Sequence, residues 1–245
     1  MPDTIKRGFN RFPDGLSNQP VESVFALLDA PLLTNWAVFQ EDFVRPWDVS
    51  AGGEFTHTQT NGALTNGGST GILVQTLGGA DNDTSQFQAS LSGFNLTVGK
   101  KFAFEARCRI GLGASGVLGE EELFIGLATI QTGTNFMAAD GLSRAFDAGI
   151  GFISFDGSSS INALQGVGDV FSTELNAFTY AGAVWYKFGI YYDGTTATYY
   201  VNNNKVASIS TNIPTSIISP CLYIKAGEAR AKTLETDYII AAVER

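Results

Sequence analysis

Histidine, cysteine and charge are all scarce in this chain. His57 is the one histidine, so an imidazole-rich metal centre is excluded. No strand-to-helix elbow presents a nucleophile for a Ser-His-Asp triad through it, and it reads as a structural or surface residue. Cys108 and Cys221 are the only cysteines and make no disulfide scaffold. Charged residues form 16% of the sequence against a usual ~25%. The net charge of −9 argues against nucleic acid as a partner, because phosphate binding needs a positive surface. Long apolar runs are missing as well. Val24–Leu33 is interrupted by Asp29 and Pro31, and nothing approaches the ~20 apolar residues that span a bilayer. Lys6 and Arg7 are followed by polar residues rather than the apolar core of a signal peptide. Helical periodicity is absent beyond residue 36.

What is present is strand and turn. Glycine reaches 28 residues among many Thr, Ser and Asn. The stretch 183–206 is the clearest case. Tyr186, Phe188, Ile190 and Tyr192 share one face at period two, with Lys187 and Gly189 opposite, and Asp193-Gly194 turns the chain into a second aromatic strand. Asn202-Asn203-Asn204 turns it again. Lys101–Ile110 alternates equally well: Phe102, Phe104, Ala106, Cys108 and Ile110 face in, while Lys101, Glu105, Arg107 and Arg109 form a charged outer stripe. Cys108 is therefore read as a small buried hydrophobe. Further strands are predicted over 36–43, 54–60, 71–77, 85–91, 122–129, 148–155, 184–192, 196–201, 205–210, 220–226 and 234–243. About a dozen strands with Gly/Asn/Asp/Ser separators predict an all-β antiparallel sandwich over residues 36–245.

Residues 1–35 differ. They hold four of the seven prolines and no alternation, which predicts an extended N-terminal arm. Lys6, Arg7 and Arg11 meet a single acid, Asp3, within the first eleven residues, whereas Arg45 is the one cation between residues 12 and 99. A basic tip on an acidic body suits docking, and Lys6, Arg7, Arg11, Phe9 and Phe12 are the predicted partner-binding residues; a plain solvated terminus is the alternative.

Two groups of residues carry a resemblance. Phe39-Gln-Glu-Asp-Phe43, Gly99–Arg107, Phe124-Ile-Gly-Leu127 and Gly149-Ile-Gly-Phe152 in this order resemble a family of tailed-bacteriophage virion proteins. Trp185–Gly194, Tyr200-Val-Asn-Asn and Thr236–Ile240 resemble the concanavalin A-like (laminin-G-like) jelly roll. The resemblance implies a structural virion protein that decorates or cements a phage capsid. It would bind the major capsid protein and neighbouring copies of itself through the arm, as a homo-oligomer on the capsid surface, without cofactor, membrane or nucleic acid. The alternative is a carbohydrate-binding module recognising host surface glycans.

Catalytic and ligand sites are weighed against this background. Glucanases of the same fold class carry Glu-x-Asp-x-Glu on the catalytic strand, and this chain offers only Glu120-Glu121-Glu122, so it is expected not to be an enzyme. Asp81-Asn82-Asp83 departs from calcium-loop spacing and reads as an Asx turn. Gly111–Gly116 opens no helix and is no phosphate loop. Tyr191, Tyr199 and Tyr200 lie close in the predicted hairpin, where outward rings would stack on sugars or be covered by a second sheet or a neighbouring subunit.

Overall fold

A computed structural model describes residues 36–44, 49, 53–66, 71–90, 93–112, 116–131, 136–137, 144–168 and 170–245. Among them no helix occurs, and fifteen strands form two antiparallel sheets. The strands are β1 (Trp36–Glu41), β2 (Phe55–Thr60), β3 (Gly62–Asn66), β4 (Leu73–Leu77), β5 (Thr84–Ala89), β6 (Phe102–Gly111), β7 (Glu121–Ala128) and β8 (Ala148–Ser154). They continue as β9 (Ser160–Val167), β10 (Val170–Thr179), β11 (Trp185–Tyr192), β12 (Ala197–Val201), β13 (Asn204–Ile209), β14 (Ser219–Ala226) and β15 (Thr233–Glu244). Sheet A runs β13-β12-β11-β6-β15-β4-β3, and sheet B runs β10-β9-β8-β7-β14-β5-β2. β15 is long enough to serve two neighbours on one side: its first residues pair with β4 and its last six with β1.

The alternation that marks each strand is what closes the sandwich. Inward residues of β6 and β11 meet Leu123, Ile125 and Leu127 of β7, Ile150 and Phe152 of β8, and Leu222 and Ile224 of β14 in one core. Cys108 lies in that core as predicted, and burial pushes its thiol up to about 12. Polar staples cross the core near its margins. Gln75 of β4 donates to the Ser85 and Leu222 carbonyls of sheet B at 3.0 and 3.4 Å. Tyr199 of β12 donates to the Leu164 carbonyl at 3.0 Å and to Gln165 Oε1 at 3.1 Å. Each buried polar atom so matched avoids the desolvation cost of an unmade bond.

The turns follow the residues expected of them. Asn82, Asn202 and Asn203 take positive φ of 63°, 47° and 68°, and Gly194 takes 101°. Asp83 Oδ2 accepts from the Ala80 amide at 2.8 Å, so the Asp81-Asn82-Asp83 segment is a turn. The arm and its five predicted binding residues, Lys6, Arg7, Phe9, Arg11 and Phe12, lie outside the described residues.

Candidate functional site on the outer face of sheet B

Each sheet has an outer face, and their chemistries differ. On sheet B, residues one step out of phase with the core point outward along neighbouring strands. Register places Glu122 of β7, Lys225 of β14 and Thr84 of β5 in one row. Phe124, Tyr223 and Gln86 form the next row, and Gly126, Cys221 and Gln88 the third. Beyond them at the sheet edge stand Thr60, Thr58 and Thr56 of β2, in register with Thr84, Gln86 and Gln88.

The first two rows form a polar set held almost wholly out of water. Lys225 Nζ lies 2.9 Å from Glu122 Oε1, with both side chains at most 4% exposed. Such a pair persists because either charge alone in that setting would cost several kcal/mol. The Tyr223 hydroxyl lies beside Glu122 and the Met137 backbone, and desolvation, with the neighbouring carboxylate next in size, pushes its ionisation well above the usual phenol range. Among the described residues, the Gln86 side-chain oxygen Oε1 and the Thr84 hydroxyl are buried without a hydrogen-bond partner. Buried polar atoms are normally matched by protein groups or ordered water.

An aromatic cluster adjoins the polar set. Phe136 and Phe146, from the connection between β7 and β8, stack at 4.7 Å and lie on Phe124 at 5.2 and 5.0 Å. Phe136 also reaches Tyr223 at 5.1 Å. Glycines make this possible. A Cβ on Gly149 would meet the Phe146 ring at 2.7 Å, and one on Gly151 the Phe124 ring at 2.8 Å. The connection is pinned by Gln88, whose Nε2 donates to the Ala128 carbonyl at 3.0 Å while its Oε1 accepts from the Gln131 amide at 3.1 Å. The face is thus closed over β7–β9 and opens toward the half-buried and exposed threonines of β2.

The other sequence candidates fall elsewhere. Glu121 points inward, where its carboxylate accepts from Tyr180 and pairs with Lys232 at 3.0 Å, so Glu122 is the one acid that β7 turns outward. His57 sits 3.0 Å from Ser85 Oγ, and desolvation lowers its pKa. Tyr199 is in the core, whereas Tyr191 and Tyr200 pack half-buried on the outside of sheet A. The outer stripe of β6 becomes a set of ion pairs, Arg107 with Asp237 at 2.9 Å and Arg109 with Glu235, and both guanidiniums lie under the Trp185 ring at 4.8 and 4.9 Å. Among the described residues, no group of three His, Cys, Asp or Glu side chains is placed to hold a metal.

Sequence reasoning missed Lys225, Gln86 and the aromatic pair. Gln86 and Gln88 alternate with Phe87, and Tyr223 and Lys225 with Leu222 and Ile224, so an outward polar row was there to be read. Phe136 and Phe146 had no such signal, since they sit in a connection without alternation.

No protein-family model and no curated protein matches this sequence. Solved structures match its shape. The carbohydrate recognition domain of Emp47p aligns with a TM-score of 0.59 at 14% identity, covering 88% of this chain and 99% of that one. An endo-1,3-β-glucanase from Streptomyces sioyaensis aligns at 0.60 and 9% identity, covering 89% and 99%. A β-1,3-glucanase from Mycobacterium marinum aligns at 0.54 and 12%, covering 87% and 100%. The fold is therefore the lectin-like, concanavalin A-like jelly roll. The expectation of a non-enzyme is corrected by the same comparison, because glycoside hydrolases are built on this architecture. A missing Glu-x-Asp-x-Glu excludes one placement of the carboxyls, not catalysis on the fold. None of these three structures is a phage protein.

Proposed function

We propose that the chain recognises carbohydrate on the outer face of sheet B, along the β2–β5–β14 side. One observation carries this reading: the accessible hydroxyls of Thr58 and Thr60 on β2 lie in register with the buried side-chain oxygens of Gln86 and Thr84, in a polar row set that continues through Tyr223 and the Lys225–Glu122 pair to an aromatic wall. A sugar presents many hydroxyls and apolar C–H faces. Binding it takes a few fixed donors and acceptors next to aromatic surface. Thr56 and Thr58 add hydroxyls at the accessible edge. Folds similar in shape belong to a carbohydrate recognition domain and to β-1,3-glucanases, which supports the same ligand class. This reading displaces capsid decoration, which rests on the residue-order resemblance and on an arm outside the described residues.

Glycoside cleavage is a distinct question at the same face. A retaining carboxyl pair needs ~5–5.5 Å between its members. After Glu122 the outward positions of β7 are Phe124, Gly126 and Ala128, so a second carboxyl would have to come from another element. The test is a glycan array followed by titration calorimetry with a soluble β-1,3-glucan, with released reducing ends measured in the same samples. Thr58→Val with Gln86→Leu should weaken binding at least tenfold while the fold persists. A blank array, or binding untouched by these changes, overturns the proposal.

A further inference from the structure

At one end of the sandwich a buried lysine meets two carboxylates and a phenol. Glu121 opens β7 of sheet B, and Lys232 stands one residue before β15 of sheet A. Both side chains are fully buried, and Lys232 Nζ donates to Glu121 Oε2 at 3.0 Å. Nζ has two further acceptors, the Val117 carbonyl at 2.6 Å and Glu228 Oε1 at 2.7 Å. The other oxygen of Glu121, Oε1, accepts from the Tyr180 hydroxyl and from the Gly119 amide, the latter at 3.2 Å. Burial, and after it the adjacent Glu121 carboxylate, push the Tyr180 phenol well above its usual range, so it stays a donor. Charges this deep are costly to hold, and a buried pair escapes part of that cost when its proton crosses and leaves both partners neutral.

We infer that Lys232 and Glu121 form an intramolecular amide bond, a covalent clasp between the two sheets. The arrangement supplies a nucleophile, a site for the developing charge and a base. Once a proton of Lys232 has passed to Glu121 Oε2, the two remaining N–H bonds stay on Val117 and Glu228. The nitrogen lone pair is then left on the side of the Glu121 carboxyl. It adds to Cδ, and the carbonyl electrons move onto Oε1, where Tyr180 and Gly119 already aim their donors. Glu228 takes a proton from Nζ and returns it to the Oε2 hydroxyl, which departs as water while the carbonyl re-forms. One C–N bond forms, one C–O bond breaks, and nothing is oxidised or reduced. Full burial of both partners keeps bulk water from the reacting carbon. The bond ties positions 111 apart in the sequence, a constraint that acts chiefly on the unfolded chain.

The test is the intact mass of the purified full chain, followed by tryptic peptide mapping. The chain is expected to be lighter than its unmodified mass by one water. An acylated Lys232 resists trypsin, so peptide 231–245 should appear joined to peptide 110–144, which carries Glu121. Glu228→Gln, checked for β-sheet content by circular dichroism, should keep the unmodified mass, because an amide cannot serve as the base. A parent chain at its unmodified mass, as a plain ion pair gives, overturns the proposal. So does water loss that maps to other peptides, or water loss undiminished in folded Glu228→Gln.

Discussion

At the scale of single residues, Phe124 holds the outer face of sheet B together. Its ring meets both Phe136 and Phe146, and it lies where Gly151 leaves room. Phe124→Ala removes that ring from a site with no freedom to collapse, because the aromatic cover is pinned through Gln88. A loss of about 3–5 kcal/mol in unfolding free energy is expected from denaturant titration. Tyr223→Phe keeps the packing and removes one hydroxyl, so it should cost little stability and act on glycan affinity instead. His57 makes a prediction in pH. Desolvation lowers its folded pKa below the unfolded value near 6.5, so the unfolded chain binds the proton more readily. The contribution of neutral His57 is fully present above pH ~6.5 and declines as the pH falls from there toward the folded pKa. His57→Asn should therefore show a stability gap from the parent that changes between pH 7.5 and 5.5, read by parallel urea titrations. A gap constant with pH would sink this assignment.

At the scale of elements, pairing of β7 with β14 places Glu122 against Lys225, and the pair should behave as a unit. Lys225→Met strands a buried carboxylate and is expected to cost roughly 3–5 kcal/mol. Combining it with Glu122→Gln should restore much of that loss, a recovery measurable by a double-mutant cycle. Strands with strict alternation were legible in the sequence. β6 and β11 read off directly, down to the inward Cys108 and the outward Arg107 and Arg109. Three strands were not, each for a physical reason. β3 is a short edge strand that follows Asn61, whose φ is 47°. β9 turns Gln165 inward to donate to the Thr211 carbonyl at 2.7 Å, and it turns Leu164 outward under the aromatic cover, so its polarity pattern is inverted at both positions. β10 is an edge strand whose register shifts between Glu174 and Phe178, with Asn176 at a φ of 53°, which breaks the period of two. The site was less legible than the fold. Its outward polar rows become visible only when strands distant in sequence, β5, β7 and β14, are laid side by side.

At the scale of the whole molecule, two outer faces of one sandwich divide the chemistry. Sheet A outward is a surface of ion pairs and half-buried tyrosines, with Arg107 and Arg109 already engaged by carboxylates and by Trp185. Sheet B outward joins a buried ion pair and buried amides, beside an aromatic cover, to the hydroxyl-bearing edge of β2. With a net charge of −9, the body as a whole repels polyanions. A ligand held by hydroxyl and amide contacts has no ionic component for salt to screen, whereas a charged one does. Affinity for a neutral glucan should accordingly stay within about twofold between 50 and 500 mM salt. Sulfated glycans should bind weakly at every salt concentration, both measured by calorimetry on the full chain. Preferential binding of the sulfated ligand, lost as salt rises, would move recognition away from the Lys225–Glu122 face. It would place recognition instead on the arginine-bearing face of sheet A, where Arg107→Ala with Arg109→Ala should abolish it.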